Sequence, residues 1–326
     1  MEYAGIKKFL IARFLDFNMI DSKSFVSQAQ ELQRIIHDFL AEEYNLAGNP
    51  REWWKDSGAT RYKLYSSIKC VYDLEENSFA GEIPKEISNL AELEELNLGH
   101  NSFSGQLEME NFNISGMRVI SLTFNNLSGS LQPNMCSILP NIEELYLGNL
   151  TNLVGTIPHS ISNCSKLTRL ELSENKLTGL IPNSLGYLTL LQILNLERNY
   201  LTSDSSLNFL TSLTNCRNLT FLSLYLNPLN SMLPASVGNL STSLRTFVAS
   251  SCKIKGRIPN EVGNLSSLLK LDLSGNNIVG SIPTSIGNLR NLQRFNLSSN
   301  KLTGFIGDHI CKLPHLGDIY LDQNQL

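Results

Sequence analysis

The chain has 326 residues, of which 42% are hydrophobic and 17% are charged, enough for one large or two ordinary domains with a buried core. Its formal net charge of −4, with 26 basic and 30 acidic side chains, argues against binding to nucleic acid or to an anionic membrane. No apolar run reaches the roughly 18 residues of a membrane-spanning helix, and the N-terminus lacks the apolar core of a signal peptide. We therefore expect no membrane span within this sequence.

Residues 1–48 are predicted to form a mainly helical segment. Apolar residues recur at helical spacing from Phe25 to Leu40, and Asp21 and Ser22 can cap the start of that helix. Residues 1–66 hold 11 of the 26 aromatic residues but only 3 of the 21 glycines, so the composition changes near residue 70. The stretch from Lys7 to Glu43 resembles the Gag polypeptide of copia-type retrotransposons.

Residues 49–71 are predicted to be a linker. The sequence NPREWWKDSGATR, from Asn49 to Arg61, resembles the active-site segment of the aspartic protease of the same elements, with Asp56 in the place of its catalytic aspartate. An aspartic protease needs two carboxylates that share one proton. This region holds a single Asp-Ser-Gly, so we interpret Asp56 as a relic; a retroelement-derived protease remains a remote alternative.

From residue 72 onward, one asparagine recurs at a nearly constant spacing, which predicts a stacked repeat. We call its positions the asparagine ladder. They are Asn77, Asn101, Asn125, Asn175, Asn199, Asn227, Asn276, Asn300 and Asn324. Two further positions are implied by the spacing, where Leu150 or Thr151, and then Cys252, replace asparagine. A ladder amide can donate and accept at once, so it can satisfy buried backbone groups of its own coil and of the next.

Aligned on the ladder, the repeat reads LxxLxLxxNxLxGxIPxxIxNL. Two leucines two residues apart, such as Leu170 and Leu172, point to one side of a strand and predict an inward-facing pair in each coil. Tyr72 and Leu74 form a degraded first copy. Glycine permits a tight approach after the strand, and proline fixes the next bend. SIGNL-type stretches such as Ser285–Leu289 are predicted to form short helical turns on the outer side.

This pattern resembles the leucine-rich repeats of plant receptor-like kinase ectodomains, in the subfamily that includes receptors for bacterial flagellin and elongation factor. The resemblance implies an α/β solenoid of about ten coils over residues 72–326, with parallel strands on a concave face and short helical turns on the convex face. It implies a peptide or protein ligand, a leucine-rich-repeat kinase as co-receptor, and a location at the plasma membrane or outside the cell. The sequence has no kinase motifs, and the repeat stops at Leu326 within a coil, so we expect a truncated solenoid that is not an enzyme.

The candidate ligand-binding residues are the outward-facing side chains of the predicted concave sheet, where aromatic and arginine residues alternate with carboxylates. They are Tyr146, Arg169, Glu171, Asn195, Glu197, Arg198, Phe221, Tyr225, Arg245, Lys270, Asp272 and Arg294. We expect a recognition module in defence or developmental signalling. The alternatives are an intracellular scaffold or decoy, and a chimeric gene product without function.

The remaining reactive residues predict no cofactor or metal. The six cysteines form no CxxC pair, and the five histidines show no catalytic spacing. We interpret Cys164 and Cys216, which occupy equivalent repeat positions, as small buried side chains, with disulfides as the alternative. Eight N-x-S/T sequons are candidate glycosylation sites, and all of them lie in the repeats. They are Asn113, Asn126, Asn149, Asn163, Asn218, Asn239, Asn264 and Asn296.

Overall fold

A computed structural model describes residues 70–326. The Gag-like segment and Asp56, with its protease-like motif, lie outside the described residues. Within them, the chain forms a solenoid in which each coil contributes one strand to a long sheet, and most coils contribute a second strand and a short helix.

The long sheet has 11 parallel strands in chain order and corresponds to the predicted concave face, which we call the concave sheet. Its strands are β1 (Cys70–Asp73), β3 (Leu93–Asn97), β5 (Val119–Ser121), β7 (Glu144–Tyr146), β9 (Arg169–Glu171), β11 (Ile193–Asn195), β13 (Phe221–Ser223), β14 (Thr246–Val248), β16 (Lys270–Asp272), β18 (Arg294–Asn296) and β20 (Asp318–Tyr320).

Two shorter parallel sheets run along one side of the solenoid and are called the lateral sheets. The first comprises β2 (Ala80–Glu82), β4 (Ser102–Gln106), β6 (Asn125–Ser130), β8 (Leu150–Gly155), β10 (Lys176–Leu180) and β12 (Tyr200–Thr202). The second comprises β15 (Lys255–Gly256), β17 (Asn277–Gly280) and β19 (Lys301–Leu302). The asparagine gap between Asn199 and Asn227, which is longer than the usual 24 residues, coincides with the break between the two lateral sheets.

The helices are short, as predicted. The 3₁₀ helices are Lys85–Asn89, Met109–Phe112, His159–Asn163, Asn183–Tyr187, Ala235–Asn239, Asn260–Asn264 and Thr284–Asn288, and the α-helices are α1 (Met135–Ile138), α2 (Asn208–Leu213) and α3 (Asp308–Cys311). The last two 3₁₀ helices, Asn260–Asn264 and Thr284–Asn288, begin directly after Pro259 and Pro283, whose φ of −63° suits the residue before a helix. Proline therefore marks the start of six of the outer helices in the described residues, at Pro84, Pro158, Pro182, Pro234, Pro259 and Pro283.

The inward-facing leucine pairs form one continuous core. Leu170 and Leu172 are fully buried, as are the equivalent residues of most other coils, and Tyr72 and Leu74 of the first coil are both 7% exposed. The last coil differs, because Ile319 is 43% exposed although it was predicted to point inward. No later coil of this sequence packs against Ile319.

The asparagine ladder satisfies buried backbone groups as predicted, but toward the preceding coil and not the following one. The amide nitrogen of Asn199 donates to the carbonyls of Leu196 and Glu197 in its own coil and to that of Leu172 in the coil before, at 2.9–3.1 Å. Its Oδ1 accepts from the N–H of Leu177, also in the coil before, at 3.0 Å. The ladder amides from Asn101 onward therefore tie adjacent coils together, whereas Asn77 donates only within its own coil.

The structure also settles which residues replace asparagine. The Leu150 N–H donates to Asn175 Oδ1 at 3.2 Å and Leu150 is buried, whereas Thr151 is exposed, so Leu150 occupies the ladder position. At the second gap, the buried Cys252 thiol donates to the carbonyls of Leu224 and Ser250 at 3.1 and 3.3 Å. The Cys252 thiol thus makes some of the hydrogen bonds that a ladder asparagine makes in the other coils.

One cysteine prediction needs correction. Cys164 and Cys216 are both fully buried, as expected, but Cys164 forms a disulfide with Cys136 of α1. The bridge joins the helical sides of two adjacent coils. The thiols of Cys216 and Cys252 are buried, and that of Cys311 is exposed.

Candidate ligand-binding face

Outward-facing side chains of the concave sheet lie in two rows, because parallel strands in register place equivalent residues side by side. In the first row Glu144 pairs with Arg169, and Arg169 pairs with Ile193. In the second row Tyr146 pairs with Glu171, and Glu171 pairs with Asn195. The two rows form a surface that spans adjacent coils, as an extended ligand requires.

A hydrogen-bonded cluster at β7 and β9 fixes one aromatic and one cationic side chain. The Tyr146 hydroxyl donates to Glu144 Oε2 at 2.5 Å, and Arg169 donates to the same hydroxyl at 3.3 Å. Arg169 Nε also lies 3.5 Å from Glu144 Oε1. Burial, followed by the hydrogen bond to Glu144, raises the pKa of Tyr146, so this phenol stays a donor.

The next cluster links β9 to β11. Glu171 accepts from Asn195 Nδ2 at 2.7 Å and from the Ser173 N–H at 2.8 Å. Burial raises the pKa of Glu171, opposed by these hydrogen bonds and reinforced by the nearby charge of Glu197. Both oxygens of this carboxylate are thus partly satisfied before any ligand arrives.

An arginine and a tyrosine stack at one edge of the concave sheet. The Arg198 guanidinium carbon lies 5.2 Å from the ring centroid of Tyr225, and Arg198 Nε lies 3.7 Å from Glu174. This is cation–π geometry. Arg198 adopts a left-handed backbone with φ of 53°, the conformation that precedes the ladder asparagine in the described coils. That turn directs Arg198 to the edge of the face and not into its two rows.

Farther along, the rows contain two cations, Lys270 and Arg294, and two carboxylates, Asp272 and Asp318. Lys270 of β16 lies between Thr246 of β14 and Arg294 of β18 in the first row. Arg294 donates to Asp318 at 2.7 Å, and Asp272 accepts from the hydroxyl of Ser274 at 2.7 Å. Among residues 70–326, no carboxylate lies within 4.0 Å of Lys270. Lys270 is therefore a cation of the first row that is available to a ligand.

Not every predicted residue lies in the two rows. Eight of them do, and they are Tyr146, Arg169, Glu171, Asn195, Phe221, Lys270, Asp272 and Arg294. Glu197 and Tyr225 follow their strands, and Glu197 accepts from the Ser223 hydroxyl at 2.7 Å. Arg245 immediately precedes β14. Sequence reasoning missed Glu144, although alignment on the ladder places it beside Arg169 in the first row.

The candidate glycosylation sites fall on different sides of the solenoid. Six of the eight asparagines are exposed, while Asn149 and Asn296 are half-buried. Asn296 lies in β18 of the concave sheet, where its Oδ1 accepts from the N–H and hydroxyl of Ser298. A glycan on Asn296 would project from the candidate ligand-binding face.

Neither a membrane-spanning helix nor a metal-binding cluster is found in the described residues. No helix within residues 70–326 has the length and apolar character needed to cross a membrane. The same residues contain no group of three or more histidine, cysteine, aspartate or glutamate side chains arranged to hold a metal ion.

Comparison with known proteins identifies the repeat. A family model described as "Leucine rich repeat" matches residues 149–201 and 266–326. The fold is a leucine-rich-repeat solenoid. Over 71 residues, 22% of this chain, the sequence is 42% identical to the LRR receptor-like serine/threonine-protein kinase EFR of Arabidopsis thaliana, and this covers 7% of that protein. The stretches that match curated relatives cover 6–16% of those relatives.

Solved structures share the fold over most of this chain. The plant peptide hormone receptor RGFR1, in complex with RGF2, superposes with a TM-score of 0.67 and 32% identity, covering 77% of this chain and 44% of that one. The Arabidopsis receptor kinase HAESA, in complex with the peptide hormone IDA and the co-receptor SERK1, superposes with a TM-score of 0.53 and 27% identity. The match covers 78% of this chain and 50% of that one. This chain is therefore similar to ligand-binding ectodomains of plant receptors, of which it spans about half.

Proposed function

We propose that this chain is the recognition module of a plant receptor-type protein and binds an extended peptide, or an extended segment of a protein, on the concave sheet. The observation that carries the proposal is the pair of side-chain rows that runs without a break along that sheet, with Tyr146, Arg169 and Phe221 among its members. A surface of this length matches a ligand that lies across several coils.

The side chains of the face are suited to binding because many are held in place before a ligand arrives. Glu144 orients Arg169, and Asn195 orients Glu171. Preorganised side chains lose less conformational entropy on binding, and this raises affinity. Arginine and aromatic residues are also the side chains that most often dominate interface energies.

The comparisons support a peptide ligand and a co-receptor, since RGFR1 and HAESA were both solved with peptide hormones and HAESA also with SERK1. We extend both kinds of partner to this chain. A role in defence or developmental signalling, linked to a kinase, forms the finer part of the proposal and follows from the similarity to receptor kinases such as EFR.

We also propose that the repeats function at the plasma membrane or outside the cell. The Cys136–Cys164 disulfide supports this, because structural disulfides persist mainly in oxidising compartments. Six exposed sequon asparagines are available for glycosylation. Treatment of the native plant protein with an N-glycosidase should increase its mobility on a gel, whereas an unchanged mobility would point to an intracellular scaffold or decoy.

Ligand binding can be tested by selecting binders from a displayed library of random linear peptides. Phe221 and Tyr225 are half-buried on or beside the two rows, so Phe221→Ala and Tyr225→Ala should each weaken the selected peptides by about 30-fold, as expected for a side chain that contributes about 2 kcal/mol. The control is Tyr187→Ala, because Tyr187 ends a 3₁₀ helix on the opposite face and is 72% exposed. Selection of no peptide, or equal losses in all three variants, would refute the proposal.

A further inference from the structure

The lateral sheets show a second feature that the concave face does not explain. Residues 71–204 contain 16 acidic and 6 basic side chains, a net charge of −10, whereas residues 205–326 contain 5 acidic and 10 basic ones, a net charge of +5. Much of the positive charge is concentrated on one side of the second lateral sheet. We call Lys253, Lys255, Arg257 and Lys301 the lateral basic ridge.

The backbone brings these four cations together. Lys253, Lys255 and Arg257 are exposed and follow one another at every second position, with the buried Ile254 and the glycine Gly256 between them. Lys301 belongs to β19, two strands away from β15. Lys255 pairs with Asn277 and Lys301 pairs with Val279, two residues farther along β17, so at about 4.8 Å per strand and about 3.3 Å per residue the backbones of Lys255 and Lys301 are roughly 12 Å apart.

The ridge cations lack the carboxylate partners that other cations of this chain have. Arg118, Arg169, Arg198 and Arg294 each lie within 4.0 Å of an aspartate or glutamate. Within the part of the chain that the structure describes, no such pair involves a residue of the lateral basic ridge. The ridge is therefore a positively charged surface that can attract acidic groups of another molecule.

Exposed apolar residues are interleaved with the ridge. Met232 is 53% exposed and pairs with Lys255, while Val279 is 40% exposed and pairs with Lys301. Apolar contact area beside cations is characteristic of protein interfaces, in which methionine and arginine are enriched. Met232 and Val279 therefore favour a polypeptide over a uniformly polar polyanion.

Glycosylation would leave this surface open. The candidate sites after residue 204 lie elsewhere in the coil: Asn239 and Asn264 end 3₁₀ helices on the outer side, and Asn296 lies in the concave sheet. Asn218 lies in the turn between α2 and β13. All eight glycans could be present, and the lateral basic ridge would remain accessible.

We propose that the lateral basic ridge is a second docking surface, and that it binds an acidic segment of a partner protein, with acidic side chains on the cations and apolar side chains on Met232 and Val279. This surface is separate from the concave sheet. It does not depend on the peptide-binding proposal, because its residues lie on or beside the second lateral sheet.

The test uses the full chain and defined polymers as probes. Binding to poly-L-glutamate and to a glutamate–tyrosine copolymer is measured by biolayer interferometry at two salt concentrations. We expect the copolymer to bind more tightly, because its tyrosines can contact Met232 and Val279, and Met232→Ser should remove that advantage. The combined variant Lys255→Glu, Arg257→Glu and Lys301→Glu should weaken both polymers by about tenfold or more, in a salt-dependent manner.

The matched control reverses exposed cations that lie outside the lateral sheets, Arg290→Glu and Lys312→Glu, and should leave binding within about twofold of the wild type. Glutamine variants at Lys255, Arg257 and Lys301 remove the positive charges without adding negative ones, and circular dichroism checks that each variant is folded. Tighter binding of polygalacturonate than of the copolymer would overturn the proposal in favour of a polysaccharide site. Ridge-dependent self-association in sedimentation would overturn it in favour of a second copy of this chain, and equal losses in the ridge and control variants would show that no site exists.

Discussion

The substitution Asn276→Ala, which removes one buried ladder amide, tests the role of the asparagine ladder most sharply. The side chain of Asn276 is 6% exposed and makes five hydrogen bonds. Its Nδ2 donates to the carbonyls of Ala249, Leu273 and Ser274 at 2.8–3.1 Å. Its Oδ1 accepts from two backbone N–H groups of the preceding coil, at 2.9 Å each.

The expected cost follows from which of those groups keep another partner. The Leu273 carbonyl also accepts from Asn300, and the Ser274 carbonyl accepts from the Ser251 N–H. The two N–H groups and the Ala249 carbonyl would remain buried without a partner after Asn276→Ala. At about 1–2 kcal/mol for each of these three unsatisfied groups, the free energy of unfolding should fall by about 3–6 kcal/mol.

The measurement is urea denaturation, combined with amide hydrogen exchange at Cys252 and Ile254, whose N–H groups lose their acceptor. Asn277→Ala is the matched control, since the neighbouring Asn277 is exposed and should cost less than about 0.5 kcal/mol. Asn276→Asp keeps the acceptor and removes the donors, so it should protect the two amides better than alanine does. A loss below about 1 kcal/mol for Asn276→Ala, equal to that of the control, would refute the reasoning.

Three further predictions follow from the structure. Burial raises the pKa of Cys216 to about 11 and that of Cys252 to about 12. Of the three free thiols, iodoacetamide at pH 8 should therefore alkylate only the exposed Cys311 while the protein is folded, and mass spectrometry of the products checks this. Burial raises the pKa of Glu171 in the folded state, so the folded state holds this proton more tightly than the unfolded state does. The free energy of unfolding should therefore fall as the pH rises from the ordinary glutamate pKa through the raised one. Urea titrations at a series of pH values should show this slope, and Glu171→Gln should remove it. Leu226 has a φ of 55°, which is costly for a branched side chain, so Leu226→Gly should raise the free energy of unfolding by about 1 kcal/mol, and a loss of stability would contradict this.

The sequence predicted the fold because its regularities are themselves structural requirements. Leu170 and Leu172 must be buried, and Asn175 must satisfy backbone groups that water cannot reach, so each constraint recurs in most coils. The direction of the amide contacts was not predictable. A single repeat does not show whether its neighbour before or after supplies the partner, and only the three-dimensional stacking decides this.

The candidate face was predicted in outline but not in its contacts. Alternation placed Arg169 and Glu171 on the outward side of a strand, yet it could not show that Glu144 holds Arg169 and Tyr146. The Cys136–Cys164 disulfide was missed for a related reason. The bridge joins α1 to the end of the next coil's helix, and a repeat alignment reveals no such proximity between residues that are 28 positions apart.

The central claim, that a ligand lies across the concave sheet, is tested most directly by photo-cross-linking. A peptide selected from the random library would carry a benzophenone at successive positions, and mass spectrometry would identify the residues of this chain to which it becomes attached. We predict attachment to outward-facing residues of the concave sheet between β7 and β18, moving from coil to coil as the benzophenone moves along the peptide. Attachment confined to the outer helices or to the lateral sheets would contradict the claim.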